Sequence, residues 1–109
     1  MTRKYVQSLP DLVRISGYDI PIKKAEEIKD GDKQSWGTFE NEAITIVLEH
    51  PSKMHAAMVF VHEVNHAIWS FGGHQKEATE EAAVSCISSG TMQVARDNPW
   101  FLSWLKKAL

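Results

Sequence analysis

Apolar residues follow two rhythms along this chain. Up to Leu48 they come in short runs broken by turn formers, and beyond Pro51 they recur every three or four residues. Residues 1–10 form a polar lead ending at Pro10. Leu12, Val13 and Ile15 then predict a short strand, Gly17 and Asp19 a turn, and Ile20-Pro21-Ile22 a second strand. Proline has no N–H to give to a ladder, so Pro21 predicts an edge position or a bulge. Lys23 to Ser35 is charged and contains the turn signal Asp30-Gly31, so it reads as a solvated hairpin or loop. Trp36-Gly37-Thr38-Phe39 and Ala43 to Leu48 predict two more strands, joined by a turn at Asn41-Glu42. The second of these is rich in β-branched residues, which suit a pleated surface.

The rhythm then changes. Between Ser52 and Phe71, the residues Ala57, Val61, Val64, Ile68 and Phe71 keep helical spacing. Apolar side chains on most sides predict a central helix. Pro51 fits its first turn, and Gly72-Gly73 predicts a left-handed cap at its end. A second helix is expected from about Lys76 to Asp97, with Ala83, Val84, Ile87 and Val94 as its apolar stripe. Gly90 interrupts it, as a weak point or as a close helix–helix contact. Asn98-Pro99 reads as an N-cap followed by proline at the first helical position. Trp100, Phe101, Leu102, Trp104 and Leu105 make a third, amphipathic helix. Strands first and helices afterwards is an α+β pattern, a small N-terminal sheet packed beside helices. A length of 109 residues, with no repeat and no linker, predicts a single domain over 1–109.

Charge and cysteine usage narrow the classes. A net charge of −2 gives no electrostatic case for nucleic acid. No stretch reaches the ~20 apolar residues of a membrane span, and the N-terminus has no apolar run suited to a signal peptide. The expectation is a soluble, cytoplasmic protein with no membrane partner. The one cysteine, Cys86, excludes an internal disulfide and reads as a small buried hydrophobe.

Within the central helix lies His62-Glu63-Val64-Asn65-His66, an H-E-x-x-H element. Residues four apart share one helix face, so the two imidazoles can grip one metal ion, and Zn²⁺ suits nitrogen ligands. Glu63 is then placed as general base for a zinc-bound water that attacks a peptide carbonyl. Random order of 5 His in this composition would produce the element with a probability of about 0.02, so chance is a poor account of it. A buried helix with incidental histidines is the bland alternative, and it leaves a costly unpaired Glu63.

Two histidines do not complete a catalytic zinc site, which usually has three protein ligands and an open position. The downstream candidates are His74, Glu77, Glu80 and Glu81. Acidic residues near a helix start also have an ordinary role opposite the helix dipole. The stripe of Val84, Ile87 and Val94 favours Glu80 as the most inward carboxylate, while an edge position suits an open metal site and favours Glu81. His74 reads as a loop residue, and His50 and His55 as residues before or in the first turn. The strand at 43–48 immediately precedes the metal helix, so an extended peptide could pair with it by β-augmentation.

The run Trp36-Gly37, Ile44-Thr45-Ile46, His62 to Ile68, Glu80 to Val84, Gly90 and Arg96 to Pro99 resembles small phage and prophage proteins with a zincin-like motif. These are similar to trimmed relatives of the ImmA/IrrE metallopeptidases and, in size and layout, to the minigluzincins. The resemblance implies a zincin-like fold and one Zn²⁺ per chain. It implies His62, His66 and Glu81 as ligands and Glu63 as catalytic base. Glu81 opens an E-x-x-V-S run similar to the family's E-x-x-A-N element, with Val84-Ser85 in place of Ala-Asn. The implied activity is a zinc metallopeptidase acting on a protein or peptide, in the cytoplasm of the host cell if phage-encoded. The alternatives are a zinc-stabilised accessory or interaction protein without turnover, and a latent peptidase blocked by its own N-terminal segment. No DNA-binding helix-turn-helix precedes the domain, so a repressor-cleaving role is unsupported.

Overall fold

A mixed four-stranded sheet with one long helix packed against it positions everything else. The computed structural model describes residues 5–30, 33–72 and 79–109, without the side chains of Asp30, Lys33 and Glu81. In chain order the elements are β1 (Leu12–Ile15), β2 (Tyr18–Ala25), β3 (Ile28–Asp30), β4 (Lys33–Ser35), β5 (Gly37–Glu40), β6 (Ala43–Val47), α1 (Lys53–Phe71), α2 (Glu80–Asp97) and α3 (Trp100–Ala108). This is the small α+β domain that the change of rhythm predicts. No helix among the described residues is long and apolar enough to cross a membrane.

The sheet order is β1-β2-β6-β5, with β2 and β6 parallel and the outer pairs antiparallel. Pro21 therefore lies in an inner strand, not at the predicted edge. It is tolerated because β2 changes partner there: Leu12 faces Pro21 in the β1 ladder, and the β6 ladder begins at Ile22. The Ile22 N–H goes to the Asp11 carbonyl at 2.7 Å, so no ladder bond is asked of the proline. Asn41 and Glu42 both have positive φ, 53° and 60°. Two left-handed residues make the tight hairpin turn whose twist matches that of the strands β5 and β6. The charged run contains the expected hairpin, β3–β4, whose turn at 31–32 lies outside the described residues.

Ser52 is the N-cap of α1, its Oγ accepting from the His55 N–H at 3.0 Å. Pro51 thus precedes the helix and does not occupy its first turn. Gly72 closes α1 in a right-handed conformation (φ −75°, ψ −10°), and the left-handed position of the expected cap falls on the next residue. Gly73 lies outside the described residues. Extended Thr79 caps α2 by accepting from the Ala82 N–H, so the helix starts about one turn later than its polarity suggested. Val84, read as part of the stripe, is 54% exposed. The inward side of α2 is instead Ile87, Gly90 and Val94, and Gly90 lies directly on Ile68 of α1. Gly90 marks a close helix–helix contact.

The core runs on both sides of Phe60, whose ring meets those of Trp100, Phe101 and Trp104 at 6.1, 6.2 and 5.5 Å. The polar lead joins it: Val6 and Leu9 are buried, Lys24 donates to the Leu9 carbonyl, and the Trp104 indole donates to Ser8 Oγ. These residues pack beside α3 and line none of the cavities around His62 and Glu63. Asn98 does not cap α3, whose N-cap position is Pro99. Its buried side chain accepts from the Arg14 N–H and donates to the Arg14 and Val94 carbonyls, which ties β1 to the end of α2.

Candidate active site

Helical geometry alone brings the two motif histidines together. His62 and His66 are exposed on α1, their rings 4.6 Å apart and nearly perpendicular, with the Nε2 atoms 3.1 Å from each other. Zinc–imidazole bonds of the usual ~2.0–2.1 Å would span this nitrogen spacing, so His62 and His66 could hold one ion between them. Without a metal the same distance suits an N–H···N hydrogen bond. The spacing of the pair thus fits two ligands of one ion.

Glu63 occupies a different environment one residue away. It is 5% exposed and lies under the start of β5. A Cβ added to Gly37 would sit 3.2 Å from Glu63 Cγ and 2.8 Å from Val59 Cγ1, so only glycine lets the strand lie this close to the helix. Burial raises the Glu63 carboxyl above its ordinary range, and the imidazoles of His62 and His66 pull it back. The side chain lines two adjoining cavities with His62. One, of about 310 Å³, runs to Trp36, His55 and Met58; the other, of about 480 Å³, runs along β5 to His66 and Trp69.

The other ligand candidates divide by position. Glu80 is exposed in the first turn of α2, and among the described residues no third His, Cys, Asp or Glu completes a metal-binding group. Glu81 is the second residue of that turn, with its side chain outside the described part. His74 and Glu77 also lie outside the described residues. Val84 faces solvent, but Glu80 keeps the seven-residue spacing to Ile87 and Val94 on the inward side of α2.

Two findings revise the surroundings. The strand at 43–48, expected to receive a peptide, is β6, and it lies between β2 and β5 with its backbone engaged on both sides. The edge next to Glu63 is β5. His50 and His55, read as incidental, form a cluster beside the site. The Nδ1 atoms are 2.9 Å apart, His50 Nε2 is 2.8 Å from the Val47 carbonyl, and the Trp36 ring packs on both. The seven-residue interval from His55 to His62 was the available signal, since it places both on a similar face.

Comparison with protein-family models, curated proteins and solved structures finds no match to this chain.

Proposed function

We propose that the chain is a zinc-dependent metallopeptidase of the small zincin-like, phage-type kind it resembles, with His62 and His66 as metal ligands and Glu63 as catalytic base. The observation that carries this reading is the 3.1 Å convergence of the two Nε2 atoms beside a buried carboxylate. An incidental pair of surface histidines has no need of that carboxylate, whose burial is costly. Glu81 is the proposed third ligand, on the strength of its motif, with Glu80 as the competing choice.

Bound zinc would supply a Lewis acid that polarises a carbonyl and acidifies water. The protein's own residues would supply the rest. Glu63 takes a proton from the attacking water, a step that its raised carboxyl favours, and returns it to the departing amine. The outer side of β5 offers backbone groups to an extended peptide, in place of the inner strand β6. Gly37 of β5 lies directly on Val59 and Glu63 of α1, which limits the access of bulk water to the Glu63 side chain.

Metal titration and peptide-library digestion of matched variants test the proposal. The protein should bind about one zinc per chain, and His62→Ala and His66→Ala should abolish binding. Glu63→Gln should keep the metal and lower hydrolysis by about 10²–10⁴. Glu81→Ala should lose zinc affinity where Glu80→Ala retains it. Equal cleavage by Glu63→Gln would remove Glu63 as the base. Tight zinc binding with no cleavage of any peptide would favour the interaction-protein alternative.

A further inference from the structure

The His50–His55 pair has a directional hydrogen-bond pattern. The Val47 carbonyl can only accept, so His50 Nε2, at 2.8 Å from it, carries a proton. With His50 neutral, its Nδ1 is a lone pair, and the short contact to His55 Nδ1 requires that atom to donate. A neutral His55 is thereby held in the tautomer that leaves Nε2 bare. Burial of His50, which is 6% exposed, opposes a charge on the pair. Among the described residues, His55 Nε2 has no hydrogen-bond partner, and the His55 ring lines the 310 Å³ cavity that ends at His62 and Glu63.

Apart from Ser35, whose hydroxyl donates to the Gly37 carbonyl, the rest of that cavity is apolar and partly aromatic. Trp36, 47% exposed, packs edge-on to His55 at 4.7 Å, and Met58, 65% exposed, stands beside it. Large apolar side chains left in water next to a chain-oriented acceptor have a natural complement, an aromatic ring that also carries a donor.

We propose that Trp36, His55, Met58 and Val59 form a recognition subsite for an aromatic side chain bearing an O–H or N–H donor, with His55 Nε2 as the acceptor and His50 as the residue that orients it. Its place in catalysis rests on the peptidase reading, since the subsite then holds a substrate residue next to the scissile bond. Tyrosine fits and phenylalanine lacks the donor. Discrimination arises because a bare nitrogen covered by an unsubstituted ring loses its water without replacement.

Titrating N-acetyl-tyrosinamide and N-acetyl-phenylalaninamide into the zinc-supplemented protein, followed by the Trp36 indole and His55 imidazole resonances, tests the subsite without requiring turnover. The tyrosine amide should bind about 3- to 10-fold more tightly, the range of one net hydrogen bond. His55→Leu should bring the ratio to about one, and His55→Gln, with an amide oxygen as acceptor, should restore part of it. Long-range ¹H–¹⁵N imidazole spectra at about pH 8, well above the ordinary histidine range, should show His50 Nε2 protonated and His55 Nε2 bare. Equal affinities, absence of binding by either amide, a ratio unchanged in His55→Leu, or a protonated His55 Nε2 at that pH would each overturn the assignment. Failure of the peptidase reading shows separately, as no cleavage of any library peptide with the tyrosine-to-phenylalanine ratio intact.

Discussion

Gly90→Ala sets two helix effects against each other. Alanine raises the intrinsic helical stability of α2 by about 1 kcal/mol over glycine. The new Cβ, however, would lie 2.3 Å from Ile68 Cγ2 and 3.1 Å from Ile68 Cγ1. Ile68 is 2% exposed, and a β-branched side chain in a helix has essentially one χ1 rotamer, so it cannot turn aside. The helices must separate or distort. Overpacking of this severity belongs in the upper part of the 1–3 kcal/mol range, about 2–3 kcal/mol. The net destabilisation is then about 1–2 kcal/mol, or a fall in Tm of roughly 5–10 °C for a domain of this size. Thermal or urea unfolding reads it directly. In an Ile68→Ala background the obstructing atoms are gone, and Gly90→Ala should be neutral or stabilising by up to about 1 kcal/mol. A higher Tm for Gly90→Ala in the parent, or the same change in both backgrounds, would refute the close α1–α2 approach. That approach bears on the site, because it sets where the first turn of α2, with Glu80 and Glu81, stands relative to α1.

Three further outcomes follow from other contacts. Asn98→Ala removes two hydrogen bonds that join β1 to the end of α2 and a third to the Val94 carbonyl within α2, and should cost about 2–3 kcal/mol in urea unfolding, with a loss under 0.5 kcal/mol counting against the tie. Glu42→Gly relieves a left-handed non-glycine residue at φ 60° while keeping Asn41 ahead of it, and should stabilise the hairpin by about 0.5–1 kcal/mol; a lower Tm would argue against this turn geometry. Burial holds His50 below the ordinary histidine range, with the nearby His55 acting in the same direction and the Val47 carbonyl opposing. The unfolded chain therefore takes up the proton first as pH falls. The stability from a neutral His50 is full above about pH 6.5 and is lost as pH drops through that value toward the folded-state pKa. The Tm loss between neutral and mildly acidic pH should be smaller in His50→Gln than in the parent, and equal losses would show that His50 does not contribute.

Where local order suffices, the sequence alone determined a good deal. The i, i+4 spacing of His62 and His66 places both imidazoles on one turn wherever α1 packs. The β-branched run at Ala43–Val47 forms the strand that its composition predicts. Element order followed from periodicity, because a period of two and a period of 3.6 cannot bury the same positions. Tertiary structure decided everything that depends on which elements meet. Whether β5 or β6 is the edge depends on β2 pairing with β6 across a parallel crossover, which no local pattern encodes. Val84 and Ile87 are equally apolar, and only the approach of Ile68 to Gly90 selects the face that is buried. Asn98 has the local chemistry of a cap, yet its amide bonds to Arg14, 84 residues away, because α2 ends against β1. His50 and His55 acquire their pairing from the short passage between β6 and α1. Trp36 joins them only because the β5–β6 hairpin folds back over the start of the helix, and that long-range closure makes His55, backed by His50, part of one wall of the cleft.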